Sequence, residues 1–290
     1  MPVSGVEEEH MSGTNPAIDI RVGVAYGRGS GRELCCDFYR PAVVRATAPA
    51  VLLLHGGGWS RGDRTAMKDF GERLATEGFV CIAPEYRLTG EAPWPAQIED
   101  VKTTIRWCRS QAAALAIDEA RIVAMGFSAG AHLALLAAGT PGLAEFSGTG
   151  GNGAAAESVA AVVAVYPPIS FYTGPNRTSG ASPAASLLGD AATPAAANAA
   201  GPLSYVTPGF PPVFLIHGTA DKVVPPSASR VMYEALTAAG VAVEMHLYAE
   251  QPHGFARQPE FVDLVSAESA HFFRRRLGIP YARAALVASG

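Results

Sequence analysis

Short apolar runs alternate with segments of helical periodicity along most of this chain. The apolar runs have the length of buried strands: Ala50–Leu54, Phe79–Ala83, Ile122–Gly126, Val159–Tyr166, Pro212–Ile216 and Val241–Leu247. Apolar stripes at helical spacing lie between or after them: Met67, Phe70 and Leu74; Ile98, Val101, Ile105 and Cys108; Val231, Ala235, Leu236 and Ala239; Phe261, Leu264, Val265 and Phe272. Parallel neighbours in a sheet need a crossover of about a dozen residues, usually a helix. The alternation therefore predicts an α/β fold with a mainly parallel central sheet and helices on both faces.

The start of the chain and one long internal segment depart from this alternation. Residues 1–16 are acidic and are expected to form a flexible leader, followed by a hairpin of Asp19–Ala25 and Glu33–Tyr39 around a glycine-rich turn at 27–31. Residues 167–211 are rich in Pro, Gly, Ser and Ala and are too long for an ordinary connection. We expect residues 17–290 to form one domain, in which residues 167–211 form a small lid or pocket wall.

The composition argues against nucleic-acid and lipid partners. The 290 residues are 49% hydrophobic and 17% charged with a formal net charge of −4, so no global positive field attracts anionic polymers. The four cysteines form no CxxC pair, and the N-terminus has no apolar core of the kind a secretory signal needs. We therefore expect a cytoplasmic protein with a small-molecule substrate, discount the glycosylation sequon at Asn176, and leave a homodimer open.

The stretch from Ile122 to Ala144 contains no charged residue and is long enough to span a bilayer. Glycines, serine, histidine, threonine and proline interrupt it, however, and divide it into a β-rich run and a short Ala/Leu helix. We expect a buried strand and helix here and no membrane span.

A G-x-S-x-G motif, Gly126-Phe127-Ser128-Ala129-Gly130, joins that strand to that helix. The motif is weak by itself, but strand, turn and helix is the context of a nucleophile elbow. In such an elbow the serine occupies a strained turn, and the glycines let strand and helix pack closely because they have no Cβ. Ser128 is therefore the candidate nucleophile.

A serine nucleophile needs a histidine base and a carboxylate, which in this kind of fold follow in the order Ser, Asp/Glu, His. Asp221 and His253 each lie just past a predicted strand, at the sheet end where open α/β sheets place their sites. The other histidines and acids lie in less suitable places: His132, His217, His246, His271, Asp190, Glu250 and Asp263. His132 is expected to pack or hydrogen-bond locally. His217 is expected to orient the acid loop, with a role as the base as the weaker alternative.

Acyl transfer also needs hydrogen-bond donors for the developing oxyanion. The segment His55-Gly56-Gly57-Gly58-Trp59 follows the first core strand and offers unobstructed amides, and the residue after the serine, Ala129, offers another. A phosphate-binding turn is the weaker interpretation, since no P-loop Lys or Thr follows. The G-x-G-x-x-G match at residues 148–153 follows no strand and is read as a loop. No H-E-x-x-H or similar metal-ligand cluster occurs, so no cofactor or metal is expected.

These motifs together resemble the α/β-hydrolase esterase/lipase group that contains hormone-sensitive-lipase-like enzymes and small bacterial acetyl and feruloyl esterases. The similarity runs from about residue 51 to 255, and the segments that carry it are HGGGW, Glu85-Tyr86-Arg87-Leu88, Pro93-Trp94-Pro95-Ala96-Gln97, GFSAG, HGTAD and HGF. The resemblance implies an α/β-hydrolase fold with a triad of Ser128, Asp221 and His253. It also implies an oxyanion hole formed by the amides of Gly57, Gly58 and Ala129.

This sequence departs from many members of that group in two residues and in its N-terminus. Phe127 stands where many have Asp, and Ala131 where many have Gly; neither change affects the triad. The first strand begins too early for the large helical cap typical of hormone-sensitive-lipase-like members. The closer likeness is to compact members, which include carbohydrate-ester hydrolases and kynurenine formamidase.

The expected activity is hydrolysis of small carboxylic esters, with short acyl or aryl groups, through an acyl-enzyme on Ser128. An arylformamidase, amidase or peptidase with the same triad is the nearest alternative, and a non-catalytic ligand-binding protein is a more distant one. The aromatic candidates for the substrate pocket are Trp59, Trp94, Phe127, Phe171 and Tyr172. A place in the core is the equal alternative for these aromatic side chains.

Overall fold

An eight-stranded sheet forms the centre of the protein, for which a computed structural model describes residues 17–43, 47–171 and 183–280. The strands are β1 Ile18–Gly29, β2 Arg32–Pro41, β3 Ala48–Leu54, β4 Val80–Pro84, β5 Ile117–Phe127, β6 Val162–Val165, β7 Val213–Gly218 and β8 Val243–Tyr248. Their order across the sheet is β1-β2-β4-β3-β5-β6-β7-β8. The pairs β1–β2 and β2–β4 are antiparallel and all the others are parallel. The mainly parallel sheet predicted from the alternation is confirmed.

Helices connect the parallel strands as crossovers. Within the described residues the α-helices are α1 Lys68–Thr76, α2 Ala96–Ser110, α3 Ala112–Leu115, α4 Ala129–Gly139, α5 Ala144–Ser147, α6 Pro183–Leu188, α7 Pro194–Ala200, α8 Ser227–Ala238 and α9 Pro259–Arg276. Short 3₁₀ helices lie at Arg64–Met67, Gly189–Ala191, Pro202–Tyr205 and Phe255–Arg257. No helix in this part of the chain is long and apolar enough to cross a membrane.

The central strands are apolar without alternation because both faces of the sheet are covered. In β3, Leu52 and Leu54 pack into one core with α2, α4 and α8, whereas Val51 and Leu53 pack into a second core with α1 and α9. Each core lies between the sheet and a helical layer, so every side chain of the strand is removed from water. This arrangement keeps the carboxyl ends of the parallel strands in fixed register.

Two details of the sequence prediction are wrong. The first hairpin strand extends through the expected turn to Gly29, which pairs with Arg32, because the glycines can still form the ladder there. One residue of each of two predicted stripes is misplaced: Val231 in α8 and Leu264 in α9 are each 43% exposed, and Met232, which lies outside the predicted stripe, is fully buried. Leu236, Val265 and Phe272 are buried as predicted. A stripe at three- or four-residue spacing is compatible with more than one helix rotation, and contact with the sheet selects the one that buries Met232.

The uncharged stretch beginning at Ile122 forms the second half of β5, the following turn and α4, as expected. In α4 the residues from Ala129 to Ala138 are buried on every side of the helix. The absence of charge therefore reflects a helix that is enclosed by the sheet, α2 and the segment that follows β6.

A buried ion cluster ties the glycine-rich loop at 148–153 to α2. Glu157 accepts from Lys102 Nζ at 3.0 Å and from Arg106 Nη1 at 2.5 Å, and all three side chains are at most 6% exposed. Arg106 also donates to the carbonyl oxygens of Ser147 and Gly151. The loop follows no strand and opens no helix, which confirms that its G-x-G-x-x-G pattern is not a dinucleotide motif.

The described part of the segment 167–211 is folded against α4. It contains α6, α7 and two of the 3₁₀ helices, and Ile169, Phe171, Ala197 and Ala200 are buried in the core. Its expected role as a lid or pocket wall stays a prediction. Tyr172 and the Asn176 sequon lie outside the described residues.

Candidate active site

Ser128 lies at the tight turn between β5 and α4 and has φ 52° and ψ −115°, a strained conformation for a residue with a side chain. The two glycines of the motif allow this turn. A Cβ at residue 126 would lie 2.3 Å from the carbonyl oxygen of Gly130, and one at residue 130 would lie 2.1 Å from that of Leu54. The close packing expected of these glycines is confirmed.

Three side chains that follow the carboxyl ends of the parallel strands β5, β7 and β8 form one hydrogen-bonded chain. Ser128 Oγ lies 2.9 Å from His253 Nε2, and His253 Nδ1 lies 2.6 Å from Asp221 Oδ2. The carboxylate can only accept, so Nδ1 carries the proton and Nε2 is free to accept from the serine hydroxyl. His253 is 19% exposed and Asp221 is fully buried, which places the imidazole between the cavity and the acid.

The carboxylate of Asp221 is held in its ionised form. Its Oδ1 accepts from the amides of Val223 and Val224 at 2.8 and 2.9 Å. Burial raises the pKa of Asp221, but hydrogen bonds from His217, His253 and the Val224 amide outweigh it and hold the pKa well below its usual range. The site therefore keeps a permanent negative charge behind the histidine.

His217 belongs to the acid loop. Its Nε2 lies 2.9 Å from the carbonyl oxygen of Val224 and 3.2 Å from Asp221 Oδ2, while its Nδ1 lies 2.7 Å from the hydroxyl of Ser229. The hydrogen bond to Ser128 is made by His253 and not by His217. The geometry agrees with the orienting role expected for His217.

The remaining candidates have other surroundings. His246 on β8 lies 2.9 Å from Glu268 and stacks on Tyr248, and Asp263 on α9 pairs with Arg73. Asp190 lies in a 3₁₀ helix, Glu250 is exposed on the loop before His253, and His271 is on α9. None of them joins the chain of hydrogen bonds at Ser128.

The glycine loop after β3 lies directly against the elbow. Gly57 has φ +129° and Gly58 has φ +61°, both in the region that favours glycine. A Cβ at residue 57 would lie 1.9 Å from the carbonyl oxygen of Arg61, and one at residue 56 would lie 2.9 Å from that of Phe127. Gly57 and Gly58 border the same cavity as Ser128, and Ala129 begins α4 with its amide in the first turn, where helical amides have no intrahelical partner.

One end of this loop is fixed by His55. The ring of His55 stacks on Tyr86 at 4.3 Å, and its Nδ1 donates to the carbonyl oxygen of Gly56 at 2.8 Å. The hydroxyl of Tyr86 donates to the carbonyl oxygen of His55 at 2.9 Å. These contacts hold the start of the glycine loop by both its side chain and its backbone.

The other end is fixed by His132, which packs in the core as expected but makes side-chain hydrogen bonds to residues distant in sequence. Trp59 Nε1 donates to His132 Nδ1 at 3.1 Å, and His132 Nε2 donates to the carbonyl oxygen of Ala200 at 2.7 Å. Burial lowers the pKa of His132 to about 4, so the ring is neutral and can accept from Trp59. His132 thus connects the glycine loop, α4 and α7, which are remote in sequence.

Comparison with known proteins agrees with this arrangement. The BD-FAE family model matches residues 36–236, more than half of the chain. The chain belongs to the BD-FAE family. Esterase LipQ of Mycobacterium tuberculosis is 33% identical over 275 residues, which is 90% of this chain and 62% of LipQ. Esterase LipC of the same organism is 32% identical over 224 residues, which is 72% of this chain and 53% of LipC. The chain thus spans little more than half the length of these relatives.

Solved esterase structures have the same fold as this BD-FAE chain. A truncated carbohydrate esterase from gut microbiota superposes with a TM-score of 0.80 at 27% identity and covers 91% of this chain and 98% of its own. Esterase 2 of Thermogutta terrifontis with bound propionate gives a TM-score of 0.77 at 26% identity, with 92% and 97% covered. The α/β-hydrolase fold expected from the motifs is confirmed.

The BD-FAE chain has a cavity of about 330 Å³ in front of Ser128. The described residues that line it are Gly56, Gly57, Gly58, Arg61, Gly62, Ala66, Met67, Phe127, Ser128, Tyr166, Val223, His253, Gly254 and Arg257. Of the expected pocket aromatics, Phe127 lies here. A larger cavity of about 830 Å³ at the β8 edge contains none of Ser128, Asp221 and His253.

Three of the expected pocket aromatics lie elsewhere. Trp59 and Phe171 are at most 3% exposed and their rings lie 5.3 and 4.8 Å from that of His132. Trp94 lies 6.2 Å from the same histidine. These three aromatic residues form a cluster behind the glycine loop. Trp59 itself has a positive φ of 60°, and its side chain is packed into the core. These residues support the loop and do not line the cavity.

Sequence reasoning missed Tyr166, whose ring lies 4.6 Å from that of His253, and the two arginines of the cavity. Tyr166 has φ 43° at the end of β6, the strand between those that carry Ser128 and Asp221. Its position directly after a core strand is the signal that could have found it. Arg61 lies in a loop and Arg257 at the end of a short 3₁₀ helix, and neither directly follows a strand.

Proposed function

We propose that the protein is a serine carboxylesterase that hydrolyses small esters through an acyl-enzyme on Ser128. The observation that carries the proposal is the chain of hydrogen bonds from Ser128 through His253 to Asp221, with distances of 2.9 and 2.6 Å, beside a cavity of small-molecule size. Its relatives and structural neighbours include proteins named esterases, which supports the same reaction class.

In this mechanism Ser128 Oγ attacks the ester carbonyl carbon while its proton passes to His253 Nε2. Asp221 accepts from Nδ1–H, which keeps the ring in the productive tautomer and stabilises the imidazolium that forms. His253 then gives the proton to the departing alcohol oxygen as the carbon–oxygen bond breaks. Water repeats the attack on the acyl-enzyme and releases the acid.

The developing oxyanion would be stabilised by backbone amides of Gly57, Gly58 and Ala129. Their support is position: the glycine loop and the start of α4 lie on either side of Ser128. Removing one such donor in a serine hydrolase slows kcat by about 10²- to 10³-fold. The contacts of His55 and Trp59 described above would keep these donors in place during turnover.

The proposal is tested by labelling the protein with a fluorophosphonate and measuring turnover of short 4-nitrophenyl esters. We expect stoichiometric labelling of wild-type protein, and neither label nor turnover in Ser128→Ala. Folded wild-type protein that takes up no label, or full turnover in Ser128→Ala, would exclude the mechanism. If formylkynurenine or aminoacyl amides were turned over faster than the esters, the triad would stand and the ester class would be wrong.

The cytoplasmic location and the homodimer remain predictions from the sequence. Fractionation of cells and sedimentation of the purified protein test them.

A further inference from the structure

Among the described residues that line the cavity, the Asp, Glu, Lys and Arg side chains number two, and both are arginines. Arg61 follows the glycine loop, and Arg257 ends the 3₁₀ helix that begins two residues after His253. No described Asp or Glu is among the lining residues, since Asp221 lies fully buried behind the imidazole. A protein with a net charge of −4 thus presents a positive surface to whatever enters this cavity.

These two guanidinium groups have no ion-pair or hydrogen-bond partner among the described residues. Most described arginines are engaged: Arg64, close in sequence, lies 2.8 Å from Asp37 and 2.9 Å from Glu85. Arg87 is likewise held by Glu99 and Asp100. Arg61 and Arg257 therefore keep their full capacity to bind an anion.

Arg257 also borders an outer cleft with acidic walls. The carboxylates there are Asp69, Glu72, Glu260 and Asp263. Two of them have other partners, since Arg73 pairs with Asp263 at 2.5 Å and Lys68 with Glu72 at 3.8 Å. No described carboxylate lies within the 4.0 Å ion-pair distance of Arg257, so none of them forms an ion pair with it.

Each arginine lies beside a different segment of the site. A Cβ at Gly254, the residue after His253, would lie 3.3 Å from Arg257 Nη2, so this guanidinium lies beside the loop that carries the base. A Cβ at Gly57 would lie 3.2 Å from Arg61 Cγ, so the stem of Arg61 starts beside the glycine loop. A guanidinium binds a carboxylate through two parallel hydrogen bonds, which gives geometric selectivity as well as attraction.

We propose that this cavity selects esters that carry a carboxylate on their acyl or alcohol part, and that Arg61 and Arg257 bind that carboxylate. The inference rests on the proposed esterase function and adds a substrate class to it. A cavity of about 330 Å³ suits a small molecule of this kind, such as a half-ester of a short dicarboxylic acid.

The test uses two pairs of esters that differ only in a carboxylate against a carboxamide. The acyl pair is monoethyl glutarate and ethyl glutaramate, followed by ethanol release; the alcohol pair is 4-acetoxybenzoate and 4-acetoxybenzamide, followed by phenol release. The quantity compared is the ratio of kcat/KM for the anionic member to that for the neutral member. This ratio does not depend on how much of a preparation is active.

We expect wild-type protein to favour the anionic member of at least one pair, and the double variant Arg61→Gln/Arg257→Gln to lower that ratio about tenfold. Added salt should lower the wild-type ratio in the same direction, because exposed charges are screened. The matched control is Arg230→Gln, which removes an exposed arginine on α8 that has no side-chain partner among the described residues and is not among those lining the cavity. This change should leave the ratio unchanged.

An equal ratio in wild type and double variant, or an equal drop in Arg230→Gln, would overturn the inference. Such results with continued hydrolysis of the neutral esters would leave the proposed esterase function intact. Failure of that function gives a different result, in which wild-type protein hydrolyses no ester of either pair and takes up no fluorophosphonate.

Discussion

The buried, neutral state of His132 should make the protein less stable in mild acid. Its side chain is fully buried, and burial lowers its pKa from 6.5 to about 4. The unfolded chain therefore takes up a proton as the pH falls through about 6.5, whereas the folded chain does so only near 4. The contribution of neutral His132 to the free energy of unfolding is therefore complete above the unfolded-state pKa. It decreases as the pH falls from that pKa to the folded-state pKa. From these values the loss between about pH 7.5 and about pH 5 is about 2 kcal/mol.

The variant His132→Gln isolates this contribution. A glutamine amide can accept from Trp59 and donate to the carbonyl oxygen of Ala200, but it does not titrate. Urea unfolding of wild type and variant at stepped pH gives the difference in unfolding free energy, in which the protonation of other groups largely cancels. We expect that difference to shrink by about 2 kcal/mol from about pH 7.5 to about pH 5. A difference that stays constant over this range would refute the assignment of a neutral, low-pKa histidine.

Two further substitutions test the glycine loop and the ion cluster. Gly57→Ala would force a Cβ to within 1.9 Å of the carbonyl oxygen of Arg61, so we expect kcat to fall at least about 10²-fold with little change in ester KM; near-normal kcat would contradict the assigned role of the loop. Glu157→Gln leaves Lys102 and Arg106 buried without their counter-charge, which should lower the free energy of unfolding by about 3–5 kcal/mol in urea titrations. A loss below about 1 kcal/mol would show that water reaches these cations.

The parts of this protein that could be predicted from sequence are those whose physical cause is local. A strand buried on both faces must be apolar throughout, so Ala50–Leu54 could be recognised without any partner. The elbow needs glycines close to Ser128, and Gly126 and Gly130 each lie two residues from it along the chain. Asp221 and His253 could be chosen because each follows a predicted strand, and the ends of parallel strands meet at one edge of the sheet.

Errors arose where burial depends on partners that are distant in sequence. The apolar residues of α8 allow two rotations of the helix, and Val231 faces solvent whereas Met232 is buried. An aromatic residue near a catalytic motif can line the cavity or support it. Trp59 supports it, because its indole N–H finds His132 in the core.

The sequence by itself determined the order of strands and helices, the elbow at Ser128 and the chain positions of its acid and base, because each depends on neighbours along the chain. Only the tertiary structure decided what surrounds the serine. It turned Trp59 inward to His132, brought Tyr166 against His253, and left Arg61 and Arg257 at a cavity whose described lining contains no carboxylate. Each of these contacts joins residues that are distant in sequence. They depend on which loops meet at the end of the sheet, and that is set only when the whole chain packs.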